Sequence, residues 1–171
     1  LVADPKVILL AMPADHVITR SAQLHQAVEA AWPLARNGAM VTFGIVASRP
    51  ETGYGYIQKA QATACATAFA IQSFEEKPNL ELAQAYVASG NYLWNSGLFM
   101  VRADQWLRAM AALQPAMLQA CRAAMDRSSR DLDFIRPDSA AFAACPADSI
   151  DYAVMEHLPG NDALAIPARV V

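Results

Sequence analysis

Cysteine is scarce in this sequence, and its spacing shows no cross-linking pattern. Cys65, Cys121 and Cys145 are odd in number and far apart, and no two of them form a C-x-x-C pair. None of the three histidines stands at a metal-ligand spacing from a cysteine. The sequence therefore predicts neither a disulfide framework nor a zinc site, and it favours reduced thiols in a cytoplasmic protein.

Charged residues and long apolar runs are scarce too. Charged side chains make up 17% of the 171 residues, the net charge is −3, and no basic run is interleaved with aromatics, so we expect no nucleic-acid binding. The longest apolar stretch, residues 7–14, is interrupted by Pro13 and falls far short of the roughly 20 residues that cross a bilayer. We therefore expect no membrane span. Residues 1–6 show no basic leader and pass directly into a strand-like run, so we expect no signal peptide.

What is abundant is apolar side chains, at 55% of the chain, which indicates one globular domain with a sizeable core. Residues 7–12 and 39–46 are continuous apolar runs that predict strands buried on both faces, as in a parallel sheet. Between them, a helix capped by Thr19 or Ser21 is predicted to end near residue 37. The order strand, helix, strand is typical of a right-handed crossover unit, so an α/β fold is predicted.

The rest of the chain continues this alternation. An antiparallel pair is predicted over residues 56–60 and 66–74, followed by a helix over 80–89 that Asn79 caps and Gly90 ends. A strand over 92–101, two helices over 104–113 and 116–125, and a short strand over 163–167 complete it, while 128–146 is helical or irregular. Because Pro78 disfavours the helical region for its predecessor, Glu76 and Lys77 are predicted to be extended.

Several polar residues lie at positions that have both a functional and a structural explanation. Asp15 directly follows a strand end, where ligands collect in α/β sheets, although turns use aspartate as well. Asn95 lies inside an apolar strand, where its amide needs partners, although a bulge over residues 95–97 would also account for it. Asp151 lies in the first turn of a helix that Ser149 caps, where a carboxylate also suits the helix dipole.

Two further segments carry the same ambiguity. Gly53 and Gly55 flank one aromatic residue and allow the backbone to approach a ligand closely, but hairpin loops use glycine in the same way. Glu76 and Lys77 belong to a charged cluster, for which a solvated surface is the ordinary explanation.

Taken together, five segments closely resemble the mannose-1-phosphate guanylyltransferase family in that family's order. They are PADHVI at 13–18, PETGYGYI at 50–57, FEEKP at 74–78, YLWNSGLF at 92–99 and SIDYAVME at 149–156. The resemblance implies a nucleotide-diphospho-sugar transferase (Rossmann-like) fold, with a mixed, mostly parallel sheet flanked by helices. Residues 1–171 would form part of a nucleotidyltransferase domain, truncated at both ends, because the glycine-rich nucleotide loop and the C-terminal continuation of the family have no match here.

The resemblance also implies a reaction and its residues. Mannose 1-phosphate would attack the α-phosphate of GTP, with Mg²⁺ as cofactor and pyrophosphate as the leaving group. The implied catalytic residues are Asp15, Lys77 and Asp151, of which Asp15 and Asp151 would hold the Mg²⁺. The implied substrate-binding residues are Gly53, Gly55, Glu76, Asn95 and Gly97. A homo-oligomer is compatible with the family.

Two alternatives remain open at the level of the sequence. One is a sugar-1-phosphate nucleotidyltransferase that uses another base, because the segment that reads the base has no match in the chain. The other is a non-catalytic sugar-phosphate-binding or assembly module. We expect the chain by itself to be inactive in turnover, because clustered backbone N–H groups for the β- and γ-phosphates are not recognised in it.

Overall fold

The structure, a computed structural model, describes residues 4–62, 67–158 and 168–171. Its strands are β1 (Ile8–Ala11), β2 (Met40–Val46), β3 (Tyr56–Ala62), β4 (Phe69–Glu75), β5 (Tyr92–Arg102), β6 (Ser129–Asp131), β7 (Phe134–Arg136) and β8 (Ala168–Val170). Its helices are α1 (Ser21–Arg36), α2 (Leu80–Ser89), α3 (Ala103–Leu113), α4 (Pro115–Asp126), α5 (Ser139–Ala143) and α6 (Ile150–Ala153), and a 3₁₀ turn covers Met155–His157.

Strand β5 is the centre of the main sheet. It pairs with β2 along one side, and its other side is shared by β1, opposite Phe99–Arg102, and β3, opposite Tyr92–Trp94. The order of the six strands is β1-β5-β2-β8-β4-β3, and the β3–β5 pairing joins the last strand back to β5. Strands β6 and β7 form a separate hairpin.

The α/β class, with helices flanking a mixed sheet, is confirmed, but the predicted mostly parallel arrangement is wrong for the described strands. Only β2 and β8 pair in parallel, while the other pairings of this sheet are antiparallel. Strands β1 and β2 do run in the same direction on either side of α1, as a crossover unit requires, but β5 lies between them in the opposite direction. The apolar runs at residues 7–12 and 39–46 contain no information about the direction of β5, which enters the sheet about 50 residues after β2.

The burial predicted for β1 is also wrong. Leu9 and Leu10 are 37% and 38% exposed, because β1 pairs on one side with β5 and is an edge of the described sheet. In contrast, β2 is an inner strand whose first four residues are buried, as predicted.

The local start and stop signals are mostly confirmed. Asn79 caps α2 by accepting from the Leu82 N–H at 2.9 Å, and Gly90 ends this helix at φ 68°. The Ser149 hydroxyl caps α6 through the Tyr152 N–H at 3.4 Å. The N-cap of α1 is Arg20, which makes no side-chain capping bond, so neither of the predicted caps operates there. The predicted strand over 163–167 lies outside the described residues.

Two hydrophobic clusters cover the two faces of the sheet. Successive side chains of β2 and β5 point alternately into one cluster and the other. Met40 and Phe99 point into the cluster formed with α3, α4 and α6, whereas Val41 and Met100 point into the cluster under α1. Cys121 and Cys145 carry free thiols. Within the described part of the chain, every helix is too short or too polar to cross a bilayer.

Candidate active site

A cavity of about 380 Å³ opens at a gap in the sheet. On one side of β5, β1 ends opposite Phe99 and β3 begins opposite Trp94, so residues 95–98 have no strand partner there. The backbone of Gly55 reaches in from the loop before β3, and its carbonyl accepts from the Asn95 N–H at 2.8 Å. The predicted bulge lies at the same place, because β5 advances four residues from Asn95 to Phe99 while β2 advances two.

Seven of the eight site residues predicted from the sequence line this cavity. They are Gly53, Gly55, Glu76, Lys77, Asn95, Gly97 and Asp151. They come from two loops, one strand and one short helix. The fold therefore brings together residues up to 98 positions apart, from Gly53 to Asp151, whose functional roles remain predictions.

Glu76 is the acid at the floor of the cavity. Its side chain is only 8% exposed, and Oε1 lies 3.2 Å from the Lys77 Nζ. Its other oxygen, Oε2, is buried and has no hydrogen-bond partner among the described residues. Burial raises the pKa of Glu76, the Lys77 ammonium opposes this shift, and the nearby Asp151 and Glu156 carboxylates add to it. A buried acceptor with no partner is costly unless a ligand supplies a donor.

Glycine at position 55 makes room for that carboxylate. A Cβ there would lie 2.4 Å from the Glu76 Oε2 and 3.3 Å from the Asn95 Cβ. Because real Cβ atoms do not approach an oxygen this closely, any larger residue at position 55 would displace the Glu76 carboxylate or the loop. At Gly53, by contrast, a Cβ would meet no atom within 4 Å.

The turn that carries Glu76 and Lys77 differs from the predicted extended conformation. Lys77 has φ 49°, in the left-handed region that few non-glycine residues adopt. The Glu76 N–H donates to Oε1 of Glu156, which lies 80 residues later, at 2.9 Å. This long-range bond helps to hold the turn against the local preference of residues 76–78.

Asn95 and Asp151 form a second polar group in the cavity. The Asn95 Nδ2 donates to the Asp151 Oδ1 at 2.7 Å, and the Asn95 Oδ1 accepts from the Thr42 hydroxyl at 2.9 Å. Burial raises the pKa of Asp151, while the hydrogen bond from Asn95 opposes that shift. The sequence did not predict Thr42, because a threonine in a strand is ordinary.

One wall of the cavity is aromatic, and the sequence did not predict it either. The Tyr54 and Trp94 rings meet edge to face at 5.3 Å, and the Arg49 guanidinium lies 5.6 Å from the centre of the Trp94 ring. The Trp94 Nε1 is buried without a partner in the described part of the chain. Aromatic residues in apolar segments usually signal a core, which is why only the cavity identifies this wall.

Asp15 is the predicted site residue that lies elsewhere. Its side chain is exposed and lines an adjoining cavity of about 590 Å³, which shares His16, Ile45 and Ser96 with the first. Within residues 4–62, 67–158 and 168–171, no group of three or more His, Cys, Asp or Glu side chains is placed to hold a metal ion by itself. The two carboxylates that the sequence assigns to one Mg²⁺ thus line two neighbouring cavities.

In α/β folds small ligands bind in clefts near strand ends, and the cavity here has that position, with carboxylates, a lysine and aromatic rings in its lining. Residues 1–142 match the sequence profile described as nucleotidyl transferase. The chain therefore belongs to the nucleotidyl transferase family.

Three curated relatives are similar in sequence to nearly the whole of this chain. The chain is 49% identical over 168 residues to the mannose-1-phosphate guanylyltransferase of Escherichia coli K12, and 50% identical over 167 residues to ManC of Salmonella typhimurium, which has the same enzyme name. It is 48% identical over 164 residues to the xanthan biosynthesis protein XanB of Xanthomonas campestris pv. campestris B100. Each comparison covers 96% of this chain and 34% of the relative, so the chain spans about a third of the length of these relatives.

Two solved structures share the fold. A Thermus thermophilus protein described as mannose-1-phosphate geranyltransferase aligns with TM-score 0.79 and 28% identity, over 96% of this chain and 44% of that one. A Helicobacter pylori protein described as mannose-6-phosphate isomerase aligns with TM-score 0.85 and 26% identity, over 99% of this chain and 63% of that one.

Proposed function

We propose that this chain forms the hexose-phosphate half of a mannose-1-phosphate guanylyltransferase. In that reaction a phosphate oxygen of mannose 1-phosphate attacks the α-phosphorus of GTP, a new P–O bond forms, and the bond to the β-phosphate breaks to release pyrophosphate. The observation that supports this best is the buried, unpartnered Oε2 of Glu76 beside the Lys77 cation. Together these groups suit a ligand that has hydroxyl donors at one end and a phosphate at the other.

The chain's residues would bind and orient the sugar phosphate. The Glu76 Oε2 accepts from a hexose hydroxyl. The Lys77 ammonium, which is paired with the Glu76 Oε1 on a side chain that is 54% exposed, neutralises charge on the phosphate. The aromatic wall of Tyr54 and Trp94 offers an apolar surface to the C–H face of the ring. Holding two reactants in line is the main contribution that a protein makes to phosphoryl transfer.

Magnesium belongs to this proposal as well. Mg²⁺ is usually held by one or two carboxylates together with substrate phosphates, and Asp15 and Asp151, at neighbouring cavities, fit that donor set in type. The ion would neutralise charge on the reacting phosphates. Free thiols at Cys121 and Cys145 suit a reducing compartment, and we place the enzyme in the cytoplasm.

The test is calorimetry on the 171-residue chain with mannose 1-phosphate, and with mannose and inorganic phosphate as partial ligands. We expect mannose 1-phosphate to bind at least tenfold more tightly than either part. Glu76→Gln should weaken this binding by about 10- to 100-fold, because a hydrogen bond to a charged group contributes about 1.5–3 kcal/mol.

Glu75→Gln is the matched control, because it removes the same charge from an exposed neighbour outside the cavity and should change the affinity less than twofold. Equal binding of glucose 1-phosphate would favour a different sugar nucleotidyltransferase. Absence of binding by any sugar phosphate would refute the assignment of this cavity.

A further inference from the structure

Thr42 is a polar residue inside the core, although it does not line the cavity. It is 0% exposed and follows the buried Met40 and Val41 of β2. A hydroxyl in such a place is unfavourable unless it is hydrogen-bonded, and valine would fill nearly the same volume without that penalty. Its Oγ1 lies 2.9 Å from the Asn95 Oδ1 and 3.1 Å from the Leu98 carbonyl oxygen. Both of these atoms are acceptors and the hydroxyl has one proton, so it donates to one of them at a time, and the Asn95 Oδ1 is the nearer.

The hydrogen bonds around Asn95 select one orientation of its amide. The Oδ1 atom faces two donors, the Thr42 hydroxyl and the Gly97 N–H at 3.3 Å. The Nδ2 atom faces the Asp151 carboxylate at 2.7 Å. A flipped amide would set its oxygen against a carboxylate and its N–H₂ against the Gly97 N–H, so these neighbours exclude the alternative.

Two hydrogen bonds link Thr42 in β2 to Asn95 in β5, and Asn95 to Asp151 in α6. Helix α6 has four residues, and a helix this short has little stability of its own, so its position depends on the contacts it makes. The bond from Asn95 is one of these contacts, and it ends on the carboxylate that faces the cavity.

We propose that Thr42 is a positioning residue of the site: its hydroxyl fixes the amide of Asn95, which in turn holds Asp151 at the cavity. The proposal rests on the proposed function where it concerns affinity for a sugar phosphate. Thr42 itself touches no substrate, and its effect passes through Asn95.

Two substitutions separate positioning from packing. Thr42→Val keeps the volume and removes the hydroxyl, whereas Thr42→Ser keeps the hydroxyl and removes a methyl group. A packing role ranks the valine variant above the serine variant in affinity, and a positioning role ranks them in the opposite order. We expect Thr42→Val to weaken mannose 1-phosphate binding at least fivefold, and Thr42→Ser to stay within twofold of the parent chain.

A second readout needs no ligand. The side-chain N–H₂ signals of Asn95, assigned by their loss in Asn95→Ala, should be sharp and protected from solvent exchange in the parent chain and in Thr42→Ser. They should broaden and lose protection in Thr42→Val. Unchanged Asn95 signals in Thr42→Val, or serine and valine variants that weaken binding equally, would overturn the proposal. If the parent chain binds no sugar phosphate, the proposed function fails, while these signals still decide the role of Thr42.

Discussion

Gly55 shows how one missing side chain shapes the cavity. Because a Cβ at this position would lie 2.4 Å from the Glu76 Oε2, Gly55→Ala forces the carboxylate or the loop to move. We expect the variant to lose measurable affinity for mannose 1-phosphate in calorimetry and to lose about 1–3 kcal/mol of unfolding free energy. Gly53→Ala, which meets no atom within 4 Å, should unfold at nearly the parent temperature. Full affinity in Gly55→Ala would mean that Glu76 does not contact the ligand.

We expect the Glu76 carboxylate to favour ligand binding and to lower the free energy of unfolding of the chain. Because burial raises its pKa above the ordinary value of 4.5, the folded chain holds the proton more tightly than the unfolded chain does. The stability that comes from the protonated carboxyl is therefore fully present below the unfolded pKa and is lost as the pH rises through the folded pKa.

We accordingly expect Glu76→Gln to be more stable than the parent chain at pH 8, and equally stable at low pH, where both side chains are neutral. Urea denaturation across this range measures the difference, and Glu75→Gln provides the control for charge alone. A Glu76→Gln chain that is less stable at pH 8 would show that the Lys77 ion pair outweighs the burial of the carboxylate.

At the scale of single residues, the sequence indicated those whose chemistry is unusual for their place. Asn95 was recognised because an amide is rare in an apolar strand, and the fold does bring it to the cavity. Thr42 and Trp94 could not be recognised in this way, because threonine and tryptophan are common in strands and cores. The importance of Thr42 comes from neighbours 53 and 56 positions away, and that of Trp94 comes from a cavity that no local pattern shows.

Among the elements, the turn between β4 and α2 is held by a distant contact. Glu156, in the 3₁₀ turn that follows α6, accepts from the Glu76 N–H at 2.9 Å, while Lys77 keeps φ 49°. The rule that proline imposes on its predecessor predicted an extended Lys77, and it fails here because tertiary bonding outweighs a local preference.

We expect Glu156→Ala to release this turn. The Glu76 amide should then exchange with solvent at least tenfold faster, and binding of mannose 1-phosphate should weaken about fivefold, because a left-handed lysine costs of order 1–3 kcal/mol when its surroundings no longer hold it. Glu156→Gln keeps an oxygen acceptor and should retain most of the protection. Amide exchange by mass spectrometry or NMR distinguishes the two variants. Equal protection in both would mean that Pro78 and α2 hold the turn without Glu156.

For the whole molecule, the order of the sheet decides where the cavity forms. The sequence predicted most strands and helices and the crossover unit of β1, α1 and β2, because apolar runs and capping residues act locally. It could not predict that β5 enters between β1 and β2, because that pairing joins residues about 90 positions apart. The gap at residues 95–98 follows from that long-range pairing, and so does the position of the site.

The same order leaves β1 as an edge of the described sheet, paired only with β5. Leu9, Leu10 and Met12 are 37%, 38% and 47% exposed along or just past this strand, and an apolar open edge favours pairing with another chain. We expect the 171-residue chain to self-associate reversibly as its concentration rises, as followed by sedimentation velocity. Leu10→Lys should weaken this association, since lysine on an edge strand opposes pairing. Val46→Lys places the same charge on an inner strand, at a residue that is 75% exposed, and should leave the association unchanged. If both variants lower it equally, net charge is responsible and the β1 edge is not the interface.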